Sequence, residues 1–252
     1  MQDQRSITLL QAEADNDDES YFRLLINGLV RYITIAQGIW STDDMCFGPS
    51  LATILPELPT GDWNAGLKPA SRTSHALLEL RENTWHNTFV DYMDLGESRR
   101  LRTGVYEVKC PQFEELVVVK FARFDWEIGY MEGETASYRL IEDHNIGPRF
   151  LGHLVEDGRV IGFLMERIAN ARHAGPQDLE ICQQTLARLH ALGIKHGDVN
   201  RFNFLVRDSR AILIDFDKAR KCDDPNLLAG ELGSLQEALE SSSEKGGGGY
   251  LC

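Results

Sequence analysis

The segment that most constrains this chain is His196-Gly197-Asp198-Val199-Asn200-Arg201-Phe202-Asn203-Phe204, followed by Ile214-Asp215-Phe216-Asp217. Between them, Phe204-Leu205-Val206 and Ile212-Leu213-Ile214 flank Asp208-Ser209 and predict a short strand pair. The pattern therefore sets a carboxylate in a loop, an amide five residues on, and a second carboxylate at the end of the following strand. Transfer of a phosphoryl group asks for such a set. One Asp orients the attacking hydroxyl and accepts its proton, while an Asn and another Asp hold Mg²⁺ on the phosphates. Singly, Asp198 and Asn203 are ordinary turn formers and Asp215 an ordinary cap. Their joint order between a loop and two strands is what points to chemistry.

The elements upstream read in the same direction. Gly104-Val105-Tyr106-Glu107-Val108, a turn around Pro111, and Leu116-Val117-Val118-Val119-Lys120-Phe121 predict a hairpin leading into a buried strand. Glu127–Asp143 carries Ile128, Met131, Tyr138 and Ile141 at helical spacing and stops before Gly147-Pro148. Two apolar runs, Phe150–Val155 and Val160–Met165, meet across Glu156-Asp157-Gly158-Arg159, a strong hairpin signal. Pro176–Leu192 and residues 226–240 predict two further helices.

The His196–Asp217 stretch resembles the catalytic loop and metal-binding motif of the protein-kinase-like superfamily. H-G-D and D-F-D stand where many members have H-R-D and D-F-G, as in its aminoglycoside-phosphotransferase-like and lipopolysaccharide (Kdo/WaaP-type) branches. Small kinase-like proteins of filamentous fungi are similar at Leu58-Pro59-Thr60-Gly61-Asp62-Trp63-Asn64 and at Leu189–Asp198. The resemblance covers residues 85–222, with the first of those segments as a weaker extension. It implies an α+β, two-lobed fold with a small antiparallel-sheet N-lobe and a shortened, mainly helical C-lobe. It also implies ATP and Mg²⁺ as cofactors, and a hydroxyl-bearing protein or small molecule as acceptor.

Carried over by position, it makes Asp198 the catalytic base or hydroxyl-orienting residue, and Asn203 and Asp215 the Mg²⁺ ligands. Lys120 becomes the lysine on the α/β-phosphates and Glu134 its ion-pair partner. Met165, Glu166 and Ile168 fall in the hinge beside adenine, Leu205 and Ile214 beneath the ring, and Gly104 and Val105 over the nucleotide. His196 is expected to brace the loop.

The chain departs from the pattern in three places. Its glycine-rich loop is reduced to Gly104 behind Arg99-Arg100-Leu101-Arg102, a run that faces either phosphates or solvent. Asp217 replaces the last glycine of D-F-G, and no A-P-E segment follows. The short C-lobe leaves the acceptor site undefined and suggests a protein partner that completes it. A pseudokinase or ATP-binding switch working through a partner, and a small partner-dependent ATPase, are the alternative functions.

Composition narrows the remaining classes. With 39 acidic against 26 basic side chains the net charge is −13, which argues against a nucleic-acid-binding role. Five scattered cysteines suggest neither a disulfide framework nor a zinc site, and no signal peptide, N-x-S/T sequon or membrane span is apparent, so a reduced, cytoplasmic protein is expected. Phe22, Leu25, Ile26, Leu29, Ile33 and Ala36 recur at helical spacing and predict an amphipathic helix. Residues 1–84 are expected to be an extension made of an acidic lead-in, that helix and an irregular segment. Residues 85–168 would form the N-lobe, 169–240 the C-lobe and 241–252 a flexible tail.

Overall fold

The computed structural model describes residues 7–56, 58, 84–243 and the backbone of 65–68. The chain divides into two compact units, of which the first takes in the residues up to Lys68 with Arg123–Trp126 and Glu156–Arg159. Strands β1 (Ile7–Glu13), β2 (Ser20–Ile26) and β3 (Leu29–Ile35) form an antiparallel meander. Two short helices follow, α1 (Thr42–Cys46) and α2 (Gly48–Ile54), and then β4 (Ala65–Lys68) adds parallel to β3.

The helix expected over residues 22–40 is therefore a hairpin. Ile26 pairs with Leu29 across a two-residue loop in which Asn27 and Gly28 have φ of 52° and 82°. That is the turn whose twist matches antiparallel strands, and it favours Asn-Gly. The helical spacing of the apolar residues is a coincidence of two alternating strands read through their turn. Phe22, Leu24 and Ile26 of β2 and Ile33 and Ile35 of β3 bury one face against Met45 and Leu51.

On the same two strands Arg23, fully buried, pairs with Glu156 and donates to Gln11 (2.6 Å), while Tyr32 donates to the other Glu156 oxygen (2.6 Å). The acidic lead-in is likewise structured. Glu13 ends β1, and the turn into β2 is closed by reciprocal bonds between Asp15 and Ser20. Residues 41–56, expected to be irregular, carry α1, capped by the Ser41 side chain on the Asp44 N–H, and α2. Most of the Leu58–Asn64 motif and the tail beyond Ser243 lie outside the described residues.

The second unit contains a six-stranded sheet in the order β5-β9-β10-β8-β7-β6. Its strands are β5 (Phe89–Asp91), β6 (Ser98–Arg102), β7 (Val105–Val108), β8 (Val117–Phe121), β9 (Phe150–Glu156) and β10 (Arg159–Glu166). One helix, α3 (Ile128–Ile141), is inserted between β8 and β9. Then come β11 (Arg172–His173), α4 (Leu179–Ala191), β12 (Ile194–Lys195), β13 (Phe204–Arg207), β14 (Arg210–Leu213), β15 (Arg220–Lys221) and α5 (Pro225–Glu240). This is the two-lobed, kinase-like α+β fold that the sequence predicts, with a sheet-rich N-lobe and a C-lobe led by α4 and α5.

One continuous core joins the lobes. Tyr138 and Phe163 from the sheet side meet Leu186 and Leu189 of α4, Phe204 and Leu213 of the strand pair, and Leu235 and Leu239 of α5. Truncating one of these leucines to Ala removes about 2–5 kcal/mol. The core explains why β13 and β14 can present Asp198 and Asp215 at fixed positions: both loops hang from strands whose side chains are locked beneath them. Among the described residues no helix is long and apolar enough to cross a membrane.

Candidate active site

Lys120 sits on β8, whose five residues are all buried, with β7 on one side (Val105 opposite) and β10 on the other (Phe163 opposite). Its Nζ lies 2.5 Å from Glu134 Oε2 of α3 and 2.6 Å from Asp215 Oδ1. Glu134 is fully buried, and its other oxygen accepts the Phe216 N–H at 3.2 Å. One helical carboxylate therefore holds both the strand lysine and the D-F-D segment.

Burial alone would discharge this lysine; the carboxylates of Glu134 and Asp215 outweigh it and raise its pKa. Burial raises Glu134, and Lys120 opposes that without cancelling it. Burial also acts to raise Asp215, but Lys120 and Arg102 prevail and hold its carboxyl well below the usual range. Asp215 adopts φ of 68°, a left-handed conformation that costs an L-residue about 1 kcal/mol and that Asp tolerates better than most. The turn aims its carboxylate back at the lysine.

The loop carrying Asp198 is fixed from behind. Glu231 of α5 accepts the backbone N–H groups of His196 (3.0 Å) and Gly197 (2.7 Å) and lies 2.8 Å from His190 Nε2. Burial opposes the charge on Glu231, but the His190 contact and these two N–H donors lower its pKa below the ordinary value. Gly197 has φ of 84°, and a Cβ there would stand 2.5 Å from the Lys218 carbonyl oxygen. The glycine of H-G-D is therefore a steric requirement, since the chain after D-F-D crosses directly over it.

His196 is fully buried. Its Nε2 is 3.2 Å from the Ile214 oxygen, and its Nδ1 faces the Asp198 N–H at 3.4 Å, so it ties the two motif loops together. Asn200 caps the turn that follows (Phe202 N–H to Asn200 Oδ1, 2.9 Å), and Ile214 N–H bonds to the Asn203 carbonyl (3.0 Å).

Asn203 donates its side-chain N–H to the Asp198 carbonyl oxygen at 2.9 Å, which leaves the amide oxygen as the end that can accept a cation. Asp217, the second acid of D-F-D, has a buried Oδ1 without a hydrogen-bond partner. Burial and the neighbouring Asp215 charge raise its pKa. A hard divalent cation takes carboxylate and amide oxygens, so this donor set fits Mg²⁺. Among the described residues no cluster of three or more His, Cys, Asp or Glu side chains is placed to hold a metal, and the oxygen set rests on Asn203 and Asp215.

A cavity of about 320 Å³ opens beside this cluster. Val105, Met165, Glu166, Ile168, Leu205, Ile214, Glu134 and Asp215 line it, together with Arg102, His173 and Phe202. Gly104, Lys120, Asp198 and Asn203 are not on its wall. Gly104, with φ of 70°, instead packs on Phe121, whose N–H bonds to the Gly104 oxygen at 3.0 Å. Asp198 is partly exposed, and its nearest charged group is Lys218 Nζ at 2.9 Å.

Three residues of this site were not legible as motif positions. Lys218 follows D-F-D directly and is near Asp198 only because that segment crosses the H-G-D glycine. Arg102 belongs to the basic run, and it alone of that run reaches Asp215, with two nitrogens each 3.0 Å from a carboxylate oxygen. Glu231 lies on a helix far along the chain and gives no local signal.

Fold and site together define a protein-kinase-like protein, and comparison with known proteins agrees. Residues 167–227, which contain Asp198, Asn203 and Asp215, match the Lipopolysaccharide kinase (Kdo/WaaP) family. A probable bifunctional tRNA threonylcarbamoyladenosine biosynthesis protein of Methanoculleus marisnigri is 33% identical over 69 residues, 27% of this chain and 13% of that protein. The RIO-type serine/threonine-protein kinase Rio1 of Haloferax volcanii is 31% identical over 61 residues, 24% of this chain and 21% of that kinase. LIM domain kinase 1 of Drosophila melanogaster is 30% identical over 145 residues, 51% of this chain and 11% of that kinase. The chain thus spans between about a tenth and a fifth of the length of these curated relatives. These matches support a place in the protein-kinase-like superfamily, and the matched stretch is similar to its Kdo/WaaP and RIO-type members.

Proposed function

We propose that the protein is an ATP- and Mg²⁺-dependent phosphotransferase that moves the γ-phosphate to a hydroxyl of a protein or small-molecule acceptor. The observation that carries this reading is the Lys120–Glu134–Asp215 cluster at 2.5 and 2.6 Å beside a cavity with apolar walls. Val105, Met165, Leu205 and Ile214 offer the faces on which a purine ring is sandwiched. The Glu166 N–H is already bonded to the Arg149 oxygen at 2.9 Å, so adenine recognition there falls to other backbone groups of the Glu166–Ile168 stretch.

Lys120, kept charged by its two carboxylates, is the group that meets the α/β-phosphates. Asn203 and Asp215 would hold Mg²⁺, which supplies charge neutralisation of the phosphates and alignment of the transferred group. Asp198 orients the acceptor hydroxyl. As the new O–P bond forms and the bond to the ADP oxygen breaks, the hydroxyl proton passes to the Asp198 carboxylate. Its partner Lys218 steadies that carboxylate before transfer.

Replacing Asp198 by Asn is expected to lower turnover about 10²–10⁴-fold with ATP affinity retained. The measurement is ADP production and acceptor phosphorylation against calorimetric ATP binding; unchanged turnover in Asp198→Asn would refute the mechanism. A nucleotide-binding switch is the second reading, favoured by Arg102 and Lys120 both closing on Asp215. ATP binding without turnover in the parent protein would establish it. A protein partner is the proposed source of the acceptor surface. Cys46, Cys110, Cys182 and Cys222 are all free thiols, in keeping with a reducing, cytoplasmic setting.

A further inference from the structure

Resting on the nucleotide reading above, we infer that Arg102 is a phosphate-binding residue, supplying from the β6–β7 hairpin the contact that a reduced glycine loop does not. Ser98, Arg99 and Arg100 pair with Val108, Glu107 and Tyr106 in steady antiparallel order, but Arg102 pairs with Val105, so Leu101 is an extra residue in the ladder. A bulge of this kind re-aims the side chains that follow it. Here it brings Arg102 onto the face of Arg99, so that both line the cavity; Arg102 meets Asp215, Arg99 sits 3.4 Å from Glu107, and Arg100 stays exposed and bonds to Thr103 (2.7 Å).

The contact Arg102 makes is a rehearsal for an anion of a particular shape. Two of its nitrogens meet the two oxygens of Asp215, each at 3.0 Å, the planar fork geometry that also fits two oxygens of a phosphate. Lys120, 2.6 Å from Asp215, is shared with Glu134 at 2.5 Å, so Arg102 balances the second carboxylate, a place that a divalent cation can take over. A carboxylate that takes up a divalent cation no longer holds a guanidinium, and Arg102 is then left on the cavity wall with its fork unpaired. The phosphates of the nucleotide are the anions that arrive with that cation. A net charge of −13 makes such a local cation more necessary, since the protein as a whole repels a polyphosphate.

The test is calorimetric titration of the parent, Arg102→Ala and Arg102→Lys with ATP plus Mg²⁺ and, separately, with adenosine. Arg102→Ala is expected to lose about 10–100-fold in affinity for ATP with Mg²⁺ while binding adenosine as the parent does, and Arg102→Lys to fall between. Unchanged adenosine binding shows that the cavity still folds, so the loss is specific to phosphate. If Arg102→Ala binds ATP with Mg²⁺ as tightly as the parent, Arg102 is only a counter-ion of Asp215 and the inference is wrong. If the parent itself binds ATP no better than adenosine, the nucleotide reading fails and the inference falls with it.

Discussion

Two buried glutamates hold the two sides of the cleft, and they do so by different physics. Glu134, on α3, neutralises a buried lysine 2.5 Å away and reaches one backbone N–H of the D-F-D segment. Glu231, on α5, meets no lysine or arginine among the described residues; it gathers two backbone N–H groups and a histidine nitrogen within 3.0 Å. The first is an ion-pair anchor in which burial raises the carboxyl pKa, the second a hydrogen-bond anchor in which donors lower it. The consequence is a division of labour. Glu134 sets where Lys120 and the D-F-D segment stand, and Glu231 sets where the loop of Asp198 stands.

The largest way to break this comparison is Glu134→Ala. It leaves Lys120 buried with Asp215 alone and is expected to destabilise the fold by roughly 3–5 kcal/mol, with loss of ATP affinity, measured by urea unfolding and calorimetry. Gly197→Ala comes next. The added Cβ meets the Lys218 carbonyl in a left-handed backbone, at an expected loss of about 2–4 kcal/mol and of most turnover.

Glu231→Gln is milder and more telling. It keeps an acceptor oxygen but removes the charge, so stability should fall by about 1–2 kcal/mol and turnover should drop while ATP affinity does not. Equal effects of Glu134→Gln and Glu231→Gln on ATP affinity would erase the distinction between the two anchors.

The smallest effect is one of pH. The pKa of Glu231 is lowered from its ordinary value of 4.5, so the folded state binds its proton less readily than the unfolded state. Its contribution is therefore fully present above 4.5 and is lost as pH falls through the lowered value. Thermal unfolding between pH 5 and pH 3 should show a stability loss that is shallower in Glu231→Gln. Glu134 is shifted the opposite way, so Glu134→Gln should not flatten that acid limb.

The same contrast explains what the sequence made legible. Lys120 and Glu134 stand on a predicted strand and the helix after it, and Asp198, Asn203 and Asp215 lie within one short stretch. Spacing brings the last three forward, and the resemblance to kinase-like proteins adds Lys120 and Glu134. Glu231 could not be found that way, because it is one of several acids on an amphipathic helix and its partners are backbone groups 34 and 35 residues away. Arg102 is visible as part of a basic run, but only the bulge at Leu101 sets it on the face opposite to Arg100 and within reach of Asp215.

The N-terminal hairpin differs from the expected helix for another reason. Its turn signal, Asn27-Gly28, was present, but the apolar positions on either side also fit a helix. Two short strands sampled across a tight turn carry too few residues for the two periods to separate. Long-range pairings such as Arg23 with Glu156, 133 residues apart, have no local trace at all.

The central claim is that Asp215 and Asn203 receive Mg²⁺ with ATP in the cleft. It is tested most directly by calorimetric ATP titration of the parent and of Asp215→Asn, each with and without Mg²⁺. The account expects Mg²⁺ to tighten ATP binding in the parent and to have little effect in Asp215→Asn. ATP binding that is the same with and without Mg²⁺, or a Mg²⁺ effect that survives in Asp215→Asn, would contradict it.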